Sequence, residues 1–121
     1  MTCAAALATI AHIEAEGLVE HARVLGDHAL GLMQEMARRH RLIGDVRGLG
    51  LLMGIALVRD GGEPANAEAE RVMYRALERG LSFKVSAGNV LTLTPPLVIG
   101  RAELERALAI VDECLSVVER A

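Results

Sequence analysis

A chain of 121 residues is long enough for one domain and too short for two. Its net charge of −3 gives no field that would gather nucleic acid or anionic lipid, and Tyr74 and Phe83 are too few aromatic residues for base stacking. We therefore exclude nucleic acid as a partner. We also exclude a membrane, since no apolar run reaches the roughly eighteen residues of a membrane span. Two distant cysteines, Cys3 and Cys114, without a signal-like segment, predict a cytoplasmic protein with reduced thiols.

The first 40 residues predict two helices. Residues 2–16 are apolar around nearly the whole circumference, and a helix of this kind needs burial on several sides. Gly17 then suits a left-handed cap. The second helix, residues 18–39, is amphipathic. Its apolar face carries Leu18, Ala22, Leu25, Ala29, Leu32, Met33 and Met36.

The rest of the chain mixes strands and helices. Residues 42–58 read as two strand segments joined by a tight turn or bend, and 60–64 as a turn. Asn66 is expected to cap a helix that ends at Gly80. Residues 81–85 and 90–93 predict strands joined by a loop in which Gly88 and Asn89 supply positive backbone angles. The last helix, 101–119, has an apolar stripe of Leu104, Leu108, Val111, Leu115 and Val118.

This order of elements predicts a two-layer α+β sandwich, a small and mainly antiparallel sheet covered on one face by helices. We expect one domain over residues 1–121, in which 1–40 provide two helices and 41–121 provide the sheet with two more helices.

Few residues suggest chemistry on their own. His12, His21, His28 and His40 lack metal-ligand spacing, so no metal site is predicted and solvated helix faces account for them. Both cysteines read as small buried hydrophobes. The glycines at 48, 50 and 54 do not form a nucleotide-binding loop, because they precede and enter a strand.

Two cations stand out. Lys84, the one lysine, reads as an exposed residue of an edge strand. Arg47 lies between Val46 and Gly48 in an apolar stretch, so it must reach solvent or meet a carboxylate. Its partner is expected to be Asp45 or a residue of another domain, and direct anion binding is the alternative.

Three segments in order resemble the class III aminotransferases, the group of ornithine, acetylornithine and 4-aminobutyrate aminotransferases. They are CAAALA at 3–8 with EAEGL at 14–18, IGDVRGLGL at 43–51, and GNVLTLTPPLVI at 88–99. The resemblance runs over essentially the whole chain, and three segments in the family's order are a far more specific signal than one.

The resemblance implies the small domain of a fold-type I enzyme, in which a large domain holds pyridoxal phosphate on a lysine and the small domain covers the substrate side of the cleft. Residues 1–40 would pack on that large domain, and the enzyme would be a homo-oligomer with active sites between subunits. The family's cofactor-binding and catalytic residues would lie upstream of Met1, so none is assigned here and this piece alone is expected to be inert.

The resemblance also indicates how substrate is handled. Many relatives place a carboxylate-binding arginine at the position of Thr92, and threonine cannot replace its ionic contact. Some carry a mobile arginine near Val85, and Lys84 is the nearest cation. Lys84, Ser86 or an arginine of the large domain would have to take over, and the substrate-binding candidates are Lys84, Thr92 and Arg47.

Amino transfer between an amine or amino acid and a keto acid is the leading expectation. A racemase, epimerase or decarboxylase on the same scaffold is the first alternative, because the residue at Thr92 indicates altered substrate handling. A stand-alone, non-catalytic interaction domain that starts naturally at Met1 and binds a partner through its apolar first helix is the second.

Overall fold

The computed structural model describes all 121 residues, which form four helices and one four-stranded sheet. In chain order the elements are α1 (Thr2–Ala15), α2 (Leu18–Arg39), β1 (Ile43–Leu49), β2 (Leu52–Leu57), α3 (Asn66–Glu78), β3 (Lys84–Ser86), β4 (Val90–Leu93) and α4 (Arg101–Arg120). The strands lie in the order β1-β2-β4-β3, and every neighbouring pair is antiparallel. The predicted α+β class is confirmed.

The core lies between one face of the sheet and the helices α2, α3 and α4. Ile55 of β2 and Leu91 of β4 are paired across the sheet and are fully buried. Side chains alternate between the two faces along a strand, so the residues next to Ile55 in β2 and next to Leu91 in β4 belong to the opposite face of the sheet. No helix of this chain covers that face. The predicted α4 stripe is confirmed as core, and α2 adds Leu25, Ala29, Met33 and Met36 to it.

Helix α1 stands apart from this core. None of its residues is buried, and Leu7 and Ile10 expose 69% and 54% of their surface. Gly17 adopts the expected left-handed conformation, with φ of +60°, where the chain bends by 64° into α2. No single helix is long and apolar enough to cross a membrane, although α1 and α2 together meet that length and composition. Packing of α1 on a large domain stays a prediction.

The third strand differs from its prediction. It was expected at 81–85 and instead spans Lys84–Ser86. The amide of Leu81 donates to the carbonyl of Ala76 over 2.9 Å, so the segment after α3 closes the end of that helix. Phe83 is partly buried against the core. Pairing with β4 therefore begins only at Lys84.

Two asparagines also play other roles than predicted. Asn66 is the first residue of α3 rather than its cap, because Ala65 holds the cap position with its amide bonded to the carbonyl of Leu57. In the β3–β4 turn the positive φ angles belong to Ala87 (+52°) and Gly88 (+83°), not to Asn89. The Asn89 side chain instead donates to the carbonyl of Leu57 over 2.9 Å and fixes the turn to the end of β2.

Ala87 is the one non-glycine residue with positive φ, and its replacement by glycine is expected to stabilise the protein. The left-handed region costs an alanine roughly 1–2 kcal/mol, and the extra freedom of an unfolded glycine cancels about half of that gain. Thermal unfolding of Ala87→Gly should therefore show a midpoint a few degrees above wild type. A midpoint below wild type would show that the turn is not strained.

Candidate functional site

The three predicted substrate-binding residues lie in one row across the uncovered sheet face. Arg47 of β1 is paired with Gly54 of β2, Gly54 with Thr92 of β4, and Thr92 with Lys84 of β3. Residues that are directly paired in antiparallel strands project to the same face. Segments far apart in the chain thus bring Arg47, Thr92 and Lys84 onto one surface, here called the outer row.

Arg47 lies at one end of the outer row and spans the gap that Gly54 leaves. A Cβ atom at Gly54 would lie 3.9 Å from both Cγ and Nε of Arg47, so the arginine stem runs over the glycine. Its guanidinium donates to Asp45 over 3.0 Å, which confirms the predicted ion pair. Both side chains are more than half exposed, so this pair contributes little to stability.

The other end of the outer row carries hydroxyl groups and an ammonium group. Thr92 Oγ1 donates to Ser86 Oγ over 2.7 Å, and both residues are partly buried. Ser86 lies two positions along β3 from Lys84 and therefore on the same face. Lys84 is exposed on an edge strand, as predicted, and no carboxylate lies within ion-pairing distance of it.

The turn that follows Ser86 is held from two sides. Asn89 bonds to Leu57 at the end of β2, and a Cβ atom at Gly88 would come within 3.0 Å of the Asn66 side chain at the start of α3. Together with the strained Ala87, which links Ser86 to Gly88, these contacts fix the position of Ser86 relative to β4. Strained backbone of this kind is often found beside functional residues.

A buried polar cluster around His40 is not predicted from the sequence. This histidine is 4% exposed, and its ring contacts two carboxylates of α4: Nε2 lies 2.5 Å from Asp112 and Nδ1 lies 3.0 Å from Glu119. Asp112 also accepts from Arg39, and Glu119 from the amide of Leu42. The prediction that solvated helix faces account for the histidines is therefore wrong for His40. It is also wrong for His21, which is partly buried with its Nε2 2.8 Å from the carbonyl oxygen of Ile99.

Burial of the Asp112 carboxylate raises its pKa, but hydrogen bonds from His40 and Arg39 outweigh that effect and leave the pKa below its usual value. The cluster joins the end of α2 to α4 on the helix side of the sheet. It is remote from the outer row, so it is a structural feature and not part of the candidate site.

The cysteine prediction is confirmed at one position and wrong at the other. Cys114 is buried in the core, and this burial raises the pKa of its thiol, with Arg79 opposing the effect. Cys3 is exposed because α1 has no covering partner in this chain. No group of three histidine, cysteine or acidic side chains is arranged to hold a metal ion.

The residues of this chain do not form a site for pyridoxal phosphate. A site for this cofactor needs a lysine for the Schiff base and an acidic group for its pyridine nitrogen. Lys84, the single lysine, is exposed at the sheet edge, and no carboxylate lies within 4.0 Å of it. The outer row instead presents a guanidinium, an ammonium and a hydroxyl group on one sheet face, and such groups suit the polar end of a small molecule.

Comparison with known proteins identifies a family. The sequence model of the class III aminotransferases matches residues 1–115. The chain is 46% identical over 94% of its length to an (R)-1-hydroxy-2-aminoethylphosphonate ammonia-lyase of Vibrio splendidus, and 45% identical over 96% to an isoleucine 2-epimerase of Lentilactobacillus buchneri. A 5-aminovalerate aminotransferase of Pseudomonas aeruginosa is 38% identical over 94%. The chain spans about a quarter of the length of these relatives.

Solved structures agree with this match. A Bacillus anthracis aminotransferase superposes with a TM-score of 0.88 at 36% identity, covering 94% of this chain and 27% of that one. A phospholyase from Arthrobacter in complex with phosphoethanolamine superposes with a TM-score of 0.86 at 32% identity, covering 91% and 27%.

Proposed function

Because the chain belongs to the class III aminotransferase family, we propose that it is the small domain of a longer pyridoxal-phosphate enzyme that transfers an amino group from an amine or amino acid to a keto acid. The observation that carries the proposal is the outer row, since Arg47, Thr92 and Lys84 converge on a sheet face that no helix of this chain covers. In this proposal that face is one wall of the substrate cleft.

The division of labour follows from what the chain contains. Pyridoxal phosphate, held by the large domain, would supply the electron sink for bond breaking next to the amine nitrogen. The outer row would bind and orient the end of the substrate remote from the amine, and the sheet would keep water from the cleft. Over a full cycle an amine and a keto acid give a carbonyl compound and an amino acid.

A lyase or epimerase is the second candidate. Its specific support is that the relatives with these names are 46% and 45% identical, against 38% for the aminotransferase of Pseudomonas aeruginosa. Thr92 supports the lyase in particular, because the carboxylate of an amino acid, which an epimerase would also have to bind, would find no guanidinium there. In an elimination, phosphoethanolamine and water would give acetaldehyde, ammonia and phosphate, with no keto acid consumed.

The test uses the longest protein that the gene encodes, purified with pyridoxal phosphate. Amines and amino acids are supplied with pyruvate, and alanine, ammonia and the enantiomers of the substrate are measured. Alanine formed in equal amount to a carbonyl product supports amino transfer, whereas ammonia without alanine indicates a lyase and loss of optical purity indicates an epimerase. A protein that binds no cofactor and converts no amine would contradict both candidates.

Assembly and location belong to the same proposal. The family resemblance supports a homo-oligomer, and the two unpaired cysteines are consistent with the cytoplasm. The mass of the purified enzyme in solution tests the first point, since a monomer would contradict it. A reporter fused to the longest protein tests the second.

A further inference from the structure

Two hydrogen-bond donors at the β3–β4 end of the outer row have no partner in the protein. The hydroxyls of Thr92 and Ser86 share one hydrogen bond of 2.7 Å, which uses one of their two hydrogens and leaves the other free. No other acceptor within the chain takes a hydrogen from either hydroxyl, and no carboxylate pairs with Lys84. Lys84 and Ser86 are two positions apart on a three-residue strand, so their side chains leave the strand on the same face.

Arg47 does not belong to this group of donors. It lies two strands from Thr92, which places their backbones about 10 Å apart. Its guanidinium is also already bonded to Asp45. An anion at the β3–β4 end would therefore meet the ammonium of Lys84 and the hydroxyl of Ser86, without the planar fork of an arginine.

We propose that Lys84 and Ser86 form a subsite for a tetrahedral oxyanion, a phosphonate or phosphate monoester at the end of the amine substrate, with Thr92 positioning Ser86. This inference rests on the proposed function. A carboxylate is planar and is matched best by the two parallel donors of a guanidinium. An ammonium and a hydroxyl on separate side chains suit oxygens that spread from one phosphorus atom, and the double charge of that group strengthens both contacts.

Thr92 has a role of its own in this subsite, which is to position Ser86. It acts on the ligand only through Ser86, whose Oγ it holds by the 2.7 Å hydrogen bond. The strained Ala87 and the bond from Asn89 to Leu57 hold the same serine from the other side. A serine at position 92 should keep the function, and a valine should weaken it.

The experiment measures how tightly the cofactor-loaded full-length enzyme binds four amines, followed by the absorbance of the bound cofactor. These are propylamine, β-alanine, 2-aminoethylphosphonate and phosphoethanolamine, which carry a neutral, a carboxylate, a phosphonate and a phosphate end. We expect at least one of the two phosphorus-containing amines to bind tenfold or more tightly than β-alanine. The tighter of the two identifies the source of the oxyanion.

Variants then locate the subsite. Lys84→Met should weaken the favoured phosphorus-containing amine about 10- to 100-fold, as expected for loss of a charge-assisted contact, and Ser86→Ala about 10-fold. Thr92→Val should weaken it about 3-fold, a smaller loss than Ser86→Ala because threonine acts through the serine, and Thr92→Ser should restore it. Propylamine should bind every variant within 2-fold of wild type. Arg38→Met, at an exposed cation of α2 remote from the outer row, is the control that should change nothing.

Equal binding of β-alanine and both phosphorus-containing amines would overturn the subsite, as would a Lys84→Met variant that loses propylamine to the same extent. In both cases the enzyme still binds amines, so the proposed function stands. An enzyme whose cofactor absorbance responds to no amine overturns the proposed function, and the subsite with it.

Discussion

Replacing Gly26 by alanine is expected to lower the free energy of unfolding by about 3 kcal/mol, at the upper end of the usual cost of overpacking. Gly26 lies in α2 where the helix crosses the turn between β1 and β2. A Cβ atom there would lie 2.2 Å from the carbonyl oxygen of Gly50. That oxygen belongs to a turn residue with φ of +58°, so it cannot rotate away as a flexible side chain would.

The same helix supplies a matched control. Gly31 is exposed, and no atom lies within 4 Å of the Cβ it would gain. Gly31→Ala should therefore raise the unfolding free energy by about 0.5–1 kcal/mol through helix propensity alone. Urea unfolding followed by circular dichroism compares the two variants. Equal effects at both positions would show that α2 does not approach the turn as closely as 2.2 Å implies.

Periodicity predicts α2, α3 and α4 because each of these helices carries one apolar face in its sequence. The stripe from Leu104 to Val118 repeats at helical spacing, and its burial depends on little beyond that spacing. The third strand was misplaced because its start depends on a competing bond, from the amide of Leu81 to the end of α3. A choice of that kind is decided by tertiary contacts that no local pattern records.

In the candidate site, too, the sequence indicates single residues, whereas tertiary structure decides how they are arranged. Residue type and resemblance to a family indicate Lys84, Thr92 and Arg47 one at a time. That they form one row depends on the strand order β1-β2-β4-β3 and on its register, which join segments up to 45 positions apart in the chain. The sequence predicts that Ser86 lies in a loop. In the structure β3 extends to Ser86, and this brings the Ser86 hydroxyl within 2.7 Å of Thr92 Oγ1.

The sequence does not identify the partners of His40, for a related reason. Asp112 and Glu119 are seven residues apart and thus lie on one face of α4, a signal that could have suggested a shared partner. Nothing in the sequence indicates that this partner comes from the end of α2, more than 70 positions earlier.

Replacing His40 by leucine is expected to cost about 3 kcal/mol of stability, since removing one member of a buried ionic group leaves its partners uncompensated. Both ring nitrogens of His40 lie within hydrogen-bonding distance of a carboxylate, Nδ1 of Glu119 and Nε2 of Asp112. Leucine fills a similar space but leaves two carboxylates facing an apolar side chain. Urea unfolding should show the loss as a lower midpoint.

His12→Leu is the matched control for that variant. His12 is exposed on α1 and its side chain has no hydrogen-bond partner, so its replacement should change the unfolding free energy by less than about 0.5 kcal/mol. If His40→Leu costs as little as His12→Leu, the cluster contributes nothing to the union of α2 and α4.

Acid should remove the contribution of Asp112. Its pKa is lowered in the folded protein because the hydrogen bonds from His40 and Arg39 outweigh the effect of burial. A carboxylate with a depressed folded-state pKa stabilises the fold above its unfolded value, here 3.8, and loses that effect as the pH falls through the folded value. The difference in unfolding free energy between wild type and Asp112→Asn should thus be full at pH 6 and shrink steadily below pH 4. A difference that stays constant down to pH 2.5 would mean that the Asp112 carboxylate gains nothing from His40 and Arg39, and that the end of α2 is held to α4 by apolar packing alone.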